Sequence, residues 1–174
     1  MSYPTPELQP LLEEIGSLLN ETGQTLAIAE STTGGLLSAA LLSVNGAAGW
    51  YKGGAVLYTL DARSEYAGWT KEDVENYRGP TEGVASTLAN GVKKRLNATL
   101  CIGEAGIAGP MSPSRRLPPG LTCLAIARDD GPPITKTVMT GVRDRIVNMH
   151  AFTEEALKLL HETLTKMKQG NAKL

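Results

Sequence analysis

One strand–turn–helix pattern near the start of the chain restricts the possible folds more than any other feature. Residues 25–29 (TLAIA) have the composition of a short buried strand, residues 30–35 (ESTTGG) form a polar turn with two glycines, and LLSAALLS follows with helical spacing. Strand, tight turn and helix in this order make up half of an α/β unit. The pattern therefore predicts a sheet covered by helices.

The remaining elements alternate in a way that agrees with an α/β fold. Apolar spacing predicts helices over 6–20 and 145–168, a short helix capped by Thr70, and a longer one that begins at Thr81. Strands are predicted over 51–60, 98–103, 121–127 and 134–139, with a tight loop over 105–110 and an exposed loop over 111–119. We predict one domain over 1–174, with its core at about 8–165.

Composition and charge exclude several classes of protein. The 174 residues are 41% hydrophobic and 20% charged, as in ordinary globular proteins, and the net charge of −1 argues against a nucleic-acid partner. No run approaches the ~18 apolar residues of a membrane span, and no leader pattern precedes the first helix. We expect a cytoplasmic protein with no membrane partner, in which Cys101 and Cys123 are buried free thiols.

Two glycine-bearing loops follow predicted strands, and both are candidates for ligand binding. They are ESTTGG after 25–29 and EAGIAGP after 98–103. Ligands of open α/β sheets bind outside the carboxyl ends of the strands, where helix N-termini favour phosphate or an oxyanion. Neither loop is a phosphate-binding GxxxxGK[ST] motif, and no GxGxxG occurs. Ser31 could therefore be a nucleophile, a phosphate-binding residue, or the N-cap of a helix over 33–43.

The sequence offers no pattern typical of a metal site. His150 and His161 lie eleven residues apart on the predicted last helix, the cysteines form no CxxC pair, and HExxH is missing. We expect structural or solvated roles for both histidines, and neither a metal nor a cofactor.

Several blocks in a fixed order resemble the CinA C-terminal domain family, which includes bacterial nicotinamide mononucleotide deamidases. The blocks are AESTTGGLLSAALLSVNGAAGWYKGGAVLYT, GPTEGVASTLANGV and AGIAGP, followed by the terminal helix. The resemblance extends from about residue 8 to residue 165. It implies a three-layer α/β/α domain, commonly a dimer or higher homo-oligomer, that hydrolyses the carboxamide of a phosphorylated nucleotide to the acid and ammonia.

The resemblance also implies a set of site residues. The family nucleophile corresponds to Ser31, its tyrosine to Tyr58, and the lysine five residues after that tyrosine to Arg63. The substrate-binding residues that it implies are Glu30, Thr32, Thr33, Gly34, Gly35, Gly54, Ala105, Gly106, Gly109 and Arg145. Backbone amides near 33–35 are expected to stabilise the oxyanion, with Tyr58 assisting proton movement.

Arg63 is the departure that matters most for activity. A general base must lose a proton near working pH, and a lysine can do so when it is buried. An arginine stays protonated in proteins, so Arg63 could anchor an anion but could not activate Ser31. Two further departures remove polar groups: a family threonine corresponds to Ala105, and a family lysine corresponds to Leu117.

Two functional hypotheses follow, and the sequence leaves both open. The first is a divergent amidohydrolase with Ser31 as nucleophile, in which Lys52, Glu30 or Glu104 replaces the lysine as base. In the second, the chain is an inactive or re-specialised binder of a phosphorylated small molecule. A structural alternative makes Glu30 a partner of Arg63.

Overall fold

A computed structural model describes residues 3–112 and 114–171, and in this part of the chain five strands form one mixed sheet. The strands are β1 (Leu26–Glu30), β2 (Tyr51–Val56), β3 (Leu100–Ile107), β4 (Leu121–Ala127) and β5 (Ile134–Met139). Their order in the sheet is β2-β1-β3-β4-β5, with β1 parallel to both β2 and β3, and with β4 antiparallel to β3 and β5.

Helices cover both faces of this sheet. The helices are α1 (Gln9–Thr22), α2 (Leu36–Leu42), α3 (Leu60–Ala67), α4 (Lys71–Asn76), α5 (Glu82–Leu96) and α6 (Arg145–Asn171). Helices α1, α2 and α6 pack together on one face, and α5, with α3 against it, packs on the other. The prediction of a three-layer α/β/α fold is confirmed. No helix among the described residues combines the length and the apolar character needed to cross a membrane.

Strand β1 shows why the sequence forms a sheet that is covered on both sides. Successive side chains of a strand point to opposite faces. Leu26 and Ile28 enter the core with α1, α2 and α6, whereas Ala27 and Ala29 enter the core with α5. All five residues of β1 are buried, as is typical of a central parallel strand.

Small residues let α5 lie very close to the sheet and to α3. A Cβ atom added at Gly103 of β3 would lie 2.1 Å from the carbonyl oxygen of Ala85, and one added at Gly91 would lie 1.9 Å from that of Ala67. No side chain fits at either distance. The packing of α5 therefore depends on these two glycines.

The parallel strands bring three loops to one edge of the sheet. Because β1, β2 and β3 run in the same direction, the residues that follow each strand lie at the same edge. These residues are 31–35 after β1, 57–59 after β2, and 108–112 with 114–120 after β3. This edge is where an open α/β sheet binds its ligands.

Three predicted boundaries were wrong. The strand predicted over 51–60 ends at Val56, because the Thr59 side chain caps α3 by accepting a hydrogen bond from the amide of Ala62 at 3.2 Å. Strand β3 continues to Ile107, since it pairs with β4 along its whole length, so 105–107 are not a loop. Helix α2 begins at Leu36 rather than at 33. The predicted caps Thr70 and Thr81 are confirmed.

The expectation of two buried free thiols is also confirmed. Cys101 and Cys123 are both buried and unpaired with each other. Burial raises the pKa of each thiol above its ordinary value, because the thiolate is poorly solvated there. Neither cysteine is therefore suited to act as a nucleophile near neutral pH.

We expect Gly91→Ala to destabilise the fold, because its methyl group would overlap the carbonyl of Ala67. Overpacking of this kind costs about 1–3 kcal/mol or more. Gly83→Ala is the matched control in the same helix. A Cβ atom added at Gly83 would lie 3.6 Å from the Thr81 hydroxyl, which is an ordinary van der Waals contact. Alanine there gains up to about 1 kcal/mol of helix propensity. Urea unfolding of both variants measures the difference, and equal stabilities would contradict the packing assignment.

Candidate active site

A cleft of about 590 Å³ lies at the carboxyl edge of the parallel strands. Its walls come from the loops after β1, β2 and β3, from Tyr77, which follows α4, and from the first residue of α6. The residues that line it are Ser31, Thr32, Tyr58, Arg63, Tyr77, Gly106, Ile107, Ala108, Gly109, Met111, Ser112 and Arg145. The three residues predicted to be catalytic, Ser31, Tyr58 and Arg63, thus lie in the same cleft.

Two buried glutamates lie beneath the Ser31 loop. Strands β1 and β3 have the same pattern, Leu-x-Ile-x-Glu, and pair in register as Leu26–Leu100 and Ile28–Ile102. Glu30 and Glu104 stand two residues further along these strands, on the same face of the sheet as Ile28 and Ile102, and both are fully buried. Buried carboxylates are expensive unless hydrogen bonds compensate them, so their partners matter for the whole loop.

Glu104 binds the backbone of the Ser31 loop. Its Oε2 accepts hydrogen bonds from the amides of Ser31 at 3.0 Å, Thr32 at 2.8 Å and Thr33 at 3.1 Å. Its Oε1 accepts from the hydroxyls of Thr32 and Thr122, the latter at 3.1 Å. Three amides in a row thus converge on one carboxylate oxygen.

Glu30 binds the start of α2 in a similar way. Its Oε2 accepts hydrogen bonds from the amide of Gly35 at 2.8 Å and the hydroxyl of Thr33 at 2.8 Å. Its Oε1 accepts from the hydroxyl of Ser38 at 2.6 Å. The N-terminal amides of a helix have no partner within it, and Glu30 supplies one.

These contacts bear on two expectations about the loop. Of the amides near 33–35 that were expected to stabilise an oxyanion, those of Thr33 and Gly35 already donate to the two glutamates, whereas the amide of Gly34 makes no hydrogen bond among the described contacts. Ser31 is not the N-cap of α2, because Gly35 occupies that position with a φ of 103°, which is favourable for glycine. Glu30 contacts the loop and α2 rather than Arg63, which also corrects the proposed pairing of those two residues.

Arg63 reaches the cleft from α3 and lies beside Ser31. Its Nη2 lies 3.5 Å from Ser31 Oγ, and its Nε donates a hydrogen bond to the carbonyl of Leu57 at 3.2 Å. The guanidinium lies 5.0 Å from the ring centre of Trp69 and 4.6 Å from that of Tyr77. Cation–π attraction to both rings holds it in place.

The charge of Arg63 is buried without a carboxylate partner. The side chain is 4% exposed, and no ion pair within 4.0 Å involves it in the described part of the chain. Its Nη1 is buried and has no hydrogen-bond acceptor among those residues. A buried cation in this state favours the arrival of an anion.

Tyr58 and Arg145 form a second polar pair at the rim of the cleft. Tyr58 lies two residues beyond the end of β2, not on the strand as predicted, and is 58% exposed. Its hydroxyl accepts a hydrogen bond from Arg145 Nη2 at 3.3 Å, while Arg145 Nη1 donates to the carbonyl of Gly109 at 3.0 Å. Among the described contacts, Tyr58 makes no hydrogen bond to Ser31.

Asn148 holds the part of the cleft wall that follows β3. Its Nδ2 donates hydrogen bonds to the carbonyls of Ala108 at 2.8 Å and Val142 at 2.9 Å. Asn148 is fully buried and lies almost one turn after Arg145 on α6. Two neighbouring side chains of α6 therefore hold residues 108 and 109.

Seven of the predicted site residues line the cleft: Ser31, Thr32, Tyr58, Arg63, Gly106, Gly109 and Arg145. Six do not: Glu30, Thr33, Gly34, Gly35, Gly54 and Ala105. Ala105 belongs to the core beside α5, and a Cβ at Gly54 would lie 2.8 Å from both Ser38 Oγ and Tyr51 Oη, so close packing explains that glycine. Lys52 is exposed on β2 and does not line the cleft.

Sequence reasoning missed five residues of the lining: Tyr77, Ile107, Ala108, Met111 and Ser112. Trp69 and Tyr77 stand eight residues apart in the sequence, and this aromatic pair was the available signal for Tyr77. In the structure the two rings lie together and Arg63 packs against them. The repeated Leu-x-Ile-x-Glu pattern was the corresponding signal for the paired glutamates.

Both histidines have partners elsewhere. His161 Nε2 lies 2.8 Å from Glu14 Oε2 on α1, and His150 packs edge-on against Tyr3. No group of three or more His, Cys, Asp or Glu side chains among the described residues is placed to hold a metal ion.

We expect Glu104→Gln to destabilise the protein by about 2–4 kcal/mol. The NH2 group of the glutamine would replace one carboxylate oxygen and would face the N–H and O–H groups that now donate to it. Glu82→Gln is the matched control, since Glu82 also accepts two threonine hydroxyls, those of Thr135 and Thr137, but lies at the surface. Surface changes usually stay within about 0.5 kcal/mol. Urea unfolding compares the two variants, and losses of equal size would argue against the buried amide contacts as a source of stability.

Comparison with known proteins supports the resemblance along almost the whole chain. The CinA C-terminal domain family matches residues 8–164. A CinA-like protein from Chlorobium phaeobacteroides is 34% identical over 165 residues, which cover 93% of this chain and 39% of that protein. The chain thus spans between about a third and two fifths of the length of the curated relatives that it matches.

Solved structures agree in fold as well as in sequence. The competence/damage inducible protein CihA from Agrobacterium tumefaciens superposes with a TM-score of 0.87 at 28% identity, over 95% of this chain and 99% of that one. A competence or damage-inducible protein from Enterobacter asburiae gives 0.82 at 27% identity, over 88% and 96% of the two chains. With the family match over residues 8–164, these likenesses show that the chain belongs to the CinA C-terminal domain family.

Proposed function

We propose that the cleft binds a phosphorylated small molecule of the nucleotide class, and that serine-dependent amide hydrolysis does not run there at a useful rate. The observation that carries the proposal is the Arg63 guanidinium 3.5 Å from Ser31 Oγ, where the family resemblance implies a lysine. A protonated guanidinium binds anions but does not accept a proton from serine.

Among the described residues near Ser31, no other group is placed to act as base. Both oxygens of Glu104 accept hydrogen bonds from the loop, and those of Glu30 accept from the loop and from α2. Tyr58 is exposed and paired with Arg145. Ser31 Oγ also faces a donor, Arg63 Nη2, which draws electron density away from the oxygen that would attack.

The lining of the cleft favours an anionic ligand. Two guanidinium groups, those of Arg63 and Arg145, line it, and no acidic side chain belongs to its described lining. Guanidinium groups bind phosphate through paired, charge-assisted hydrogen bonds. Ile107 and Met111 add apolar surface of the kind that holds a ring.

Amide hydrolysis at Ser31 is the second candidate function, and one observation favours it. Arg63 lies where a cation would stabilise the negative oxygen formed when Ser31 Oγ attacks a carboxamide carbon. In that reaction the C–N bond breaks, the serine proton leaves with ammonia, and water then hydrolyses the serine ester to release the acid. Tyr58 would assist the proton transfers.

A hydrolysis assay with nicotinamide mononucleotide separates the two candidates. We expect no acid product from the wild-type protein at stoichiometric loading, and acid product at least roughly tenfold above the detection limit for Arg63→Lys, since a lysine can serve as base. The double variant Ser31→Ala, Arg63→Lys is the control and should lose that activity. Rapid wild-type turnover that Arg63→Lys does not increase would favour the second candidate instead.

Thermal unfolding tests the binding proposal directly. A ligand at 100 times its Kd stabilises the folded state by about 2.7 kcal/mol, so Tm should rise with pyridine mononucleotides and less with nicotinamide riboside, which lacks the phosphate. Arg145→Gln should reduce the shift. Arg128→Gln is the charge-matched control, since Arg128 follows β4 at the opposite edge of the sheet and pairs with Asp130. An unchanged Tm across all pyridine mononucleotides would overturn the proposal.

A further inference from the structure

The guanidinium of Arg63 has more donors than the chain satisfies. Its Nε donates to the carbonyl of Leu57, and Nη2 reaches Ser31 Oγ only at 3.5 Å, which is the limit of a hydrogen bond. Nη1 has no acceptor among the described residues. Because Nη1 is shielded from solvent, a ligand in the cleft reaches Arg63 at Nη2, beside the Ser31 hydroxyl, and a planar group with two acceptor atoms matches this pair of donors best.

The neighbouring carbonyls already accept hydrogen bonds within the chain. That of Ile107 accepts from the amide of Gly120 at 2.8 Å, and that of Ala108 accepts from Asn148 at 2.8 Å. The carbonyl of Gly109 accepts from Arg145 at 3.0 Å. The polar side of the cleft around Arg63 is therefore rich in donors and poor in free acceptors.

This imbalance separates two ligands of the same shape. A carboxylate presents two acceptor oxygens, which the donors of Arg63 and the Ser31 hydroxyl can satisfy. The corresponding carboxamide presents one oxygen and one NH2 group, and the NH2 would lie against the guanidinium or compete with Arg63 Nη2 for the oxygen of Ser31. Sites that leave a polar group unpaired discriminate strongly between close analogues.

We infer that Arg63 makes the cleft selective for a ligand with a planar carboxylate over the matching carboxamide. This inference rests on the proposed binding of a phosphorylated nucleotide and names the functional group that the ligand presents to Ser31. The preference is opposite to the one that an amidohydrolase needs for its substrate, because the acid is the product of amide hydrolysis. The cleft would then hold such an acid rather than form it.

A matched pair of ligands tests the inference by calorimetry on the wild-type protein. Nicotinic acid mononucleotide and nicotinamide mononucleotide differ only in the group in question. We expect the acid to bind at least roughly tenfold more tightly, in line with hydrogen bonds to charged groups. Equal affinities, or tighter binding of the amide, would overturn the selectivity while leaving the proposed binding of a nucleotide intact.

Two variants assign the selectivity to a residue. Arg63→Gln should reduce the acid-to-amide ratio to about threefold or less, because glutamine both donates and accepts. Arg145→Gln is the matched control: Arg145 lines the same cleft at its rim, so this change should weaken both ligands alike and preserve the ratio. A ratio that collapses in Arg145→Gln but persists in Arg63→Gln would refute the role of Arg63.

A third arm decides the case in which neither mononucleotide binds, which would refute the proposed function itself. Nicotinate and nicotinamide at millimolar concentration are then compared by following the Arg63 Nε–H resonance in nuclear magnetic resonance spectra. A shift with nicotinate alone supports carboxylate selection at Arg63. The same response to both fragments, or to neither, overturns it. Should Arg63→Gln fail to fold, the wild-type comparisons still decide.

Discussion

Two buried glutamates hold the loop on which the rest of the site depends. Glu30 and Glu104 stand side by side at the ends of β1 and β3, and between them they bind the amides of residues 31–33 and the start of α2. A loop with so many satisfied donors has little freedom to move. The position of Ser31 relative to Arg63 is therefore fixed by the sheet, through two carboxylates that do not belong to the described lining of the cleft.

The same contacts limit what the loop can do chemically. An amide that donates to a buried carboxylate is not free to stabilise a new negative charge. Stabilisation of an anion in the cleft thus depends on side chains, above all on Arg63, whose position depends on Leu57, Trp69 and Tyr77. A loop that resembles an anion-binding helix N-terminus in sequence serves mainly to complete the fold.

Much of this arrangement could be predicted from sequence, and the failures have physical causes. Apolar periodicity predicted the α/β fold and most elements. The family resemblance implied that Ser31, Tyr58 and Arg63 belong to one site, and all three line the cleft. The hydrogen bonds of Glu30 and Glu104 could not be predicted, because they depend on the register of β1 against β3, which is a tertiary property. Tyr77 was missed for a similar reason, since stacking on Arg63 joins residues from separate segments.

Helix α6 has a mechanical consequence for the cleft. Arg145 and Asn148, both in its first turn, grip the carbonyls of Gly109 and Ala108, while the rest of the helix packs against α1. The rim of the cleft after β3 is thus held by hydrogen bonds to α6, a helix of 27 residues, and the width of the entrance depends on the position of that helix. A change in the position of α6 would therefore move residues 108 and 109 with it.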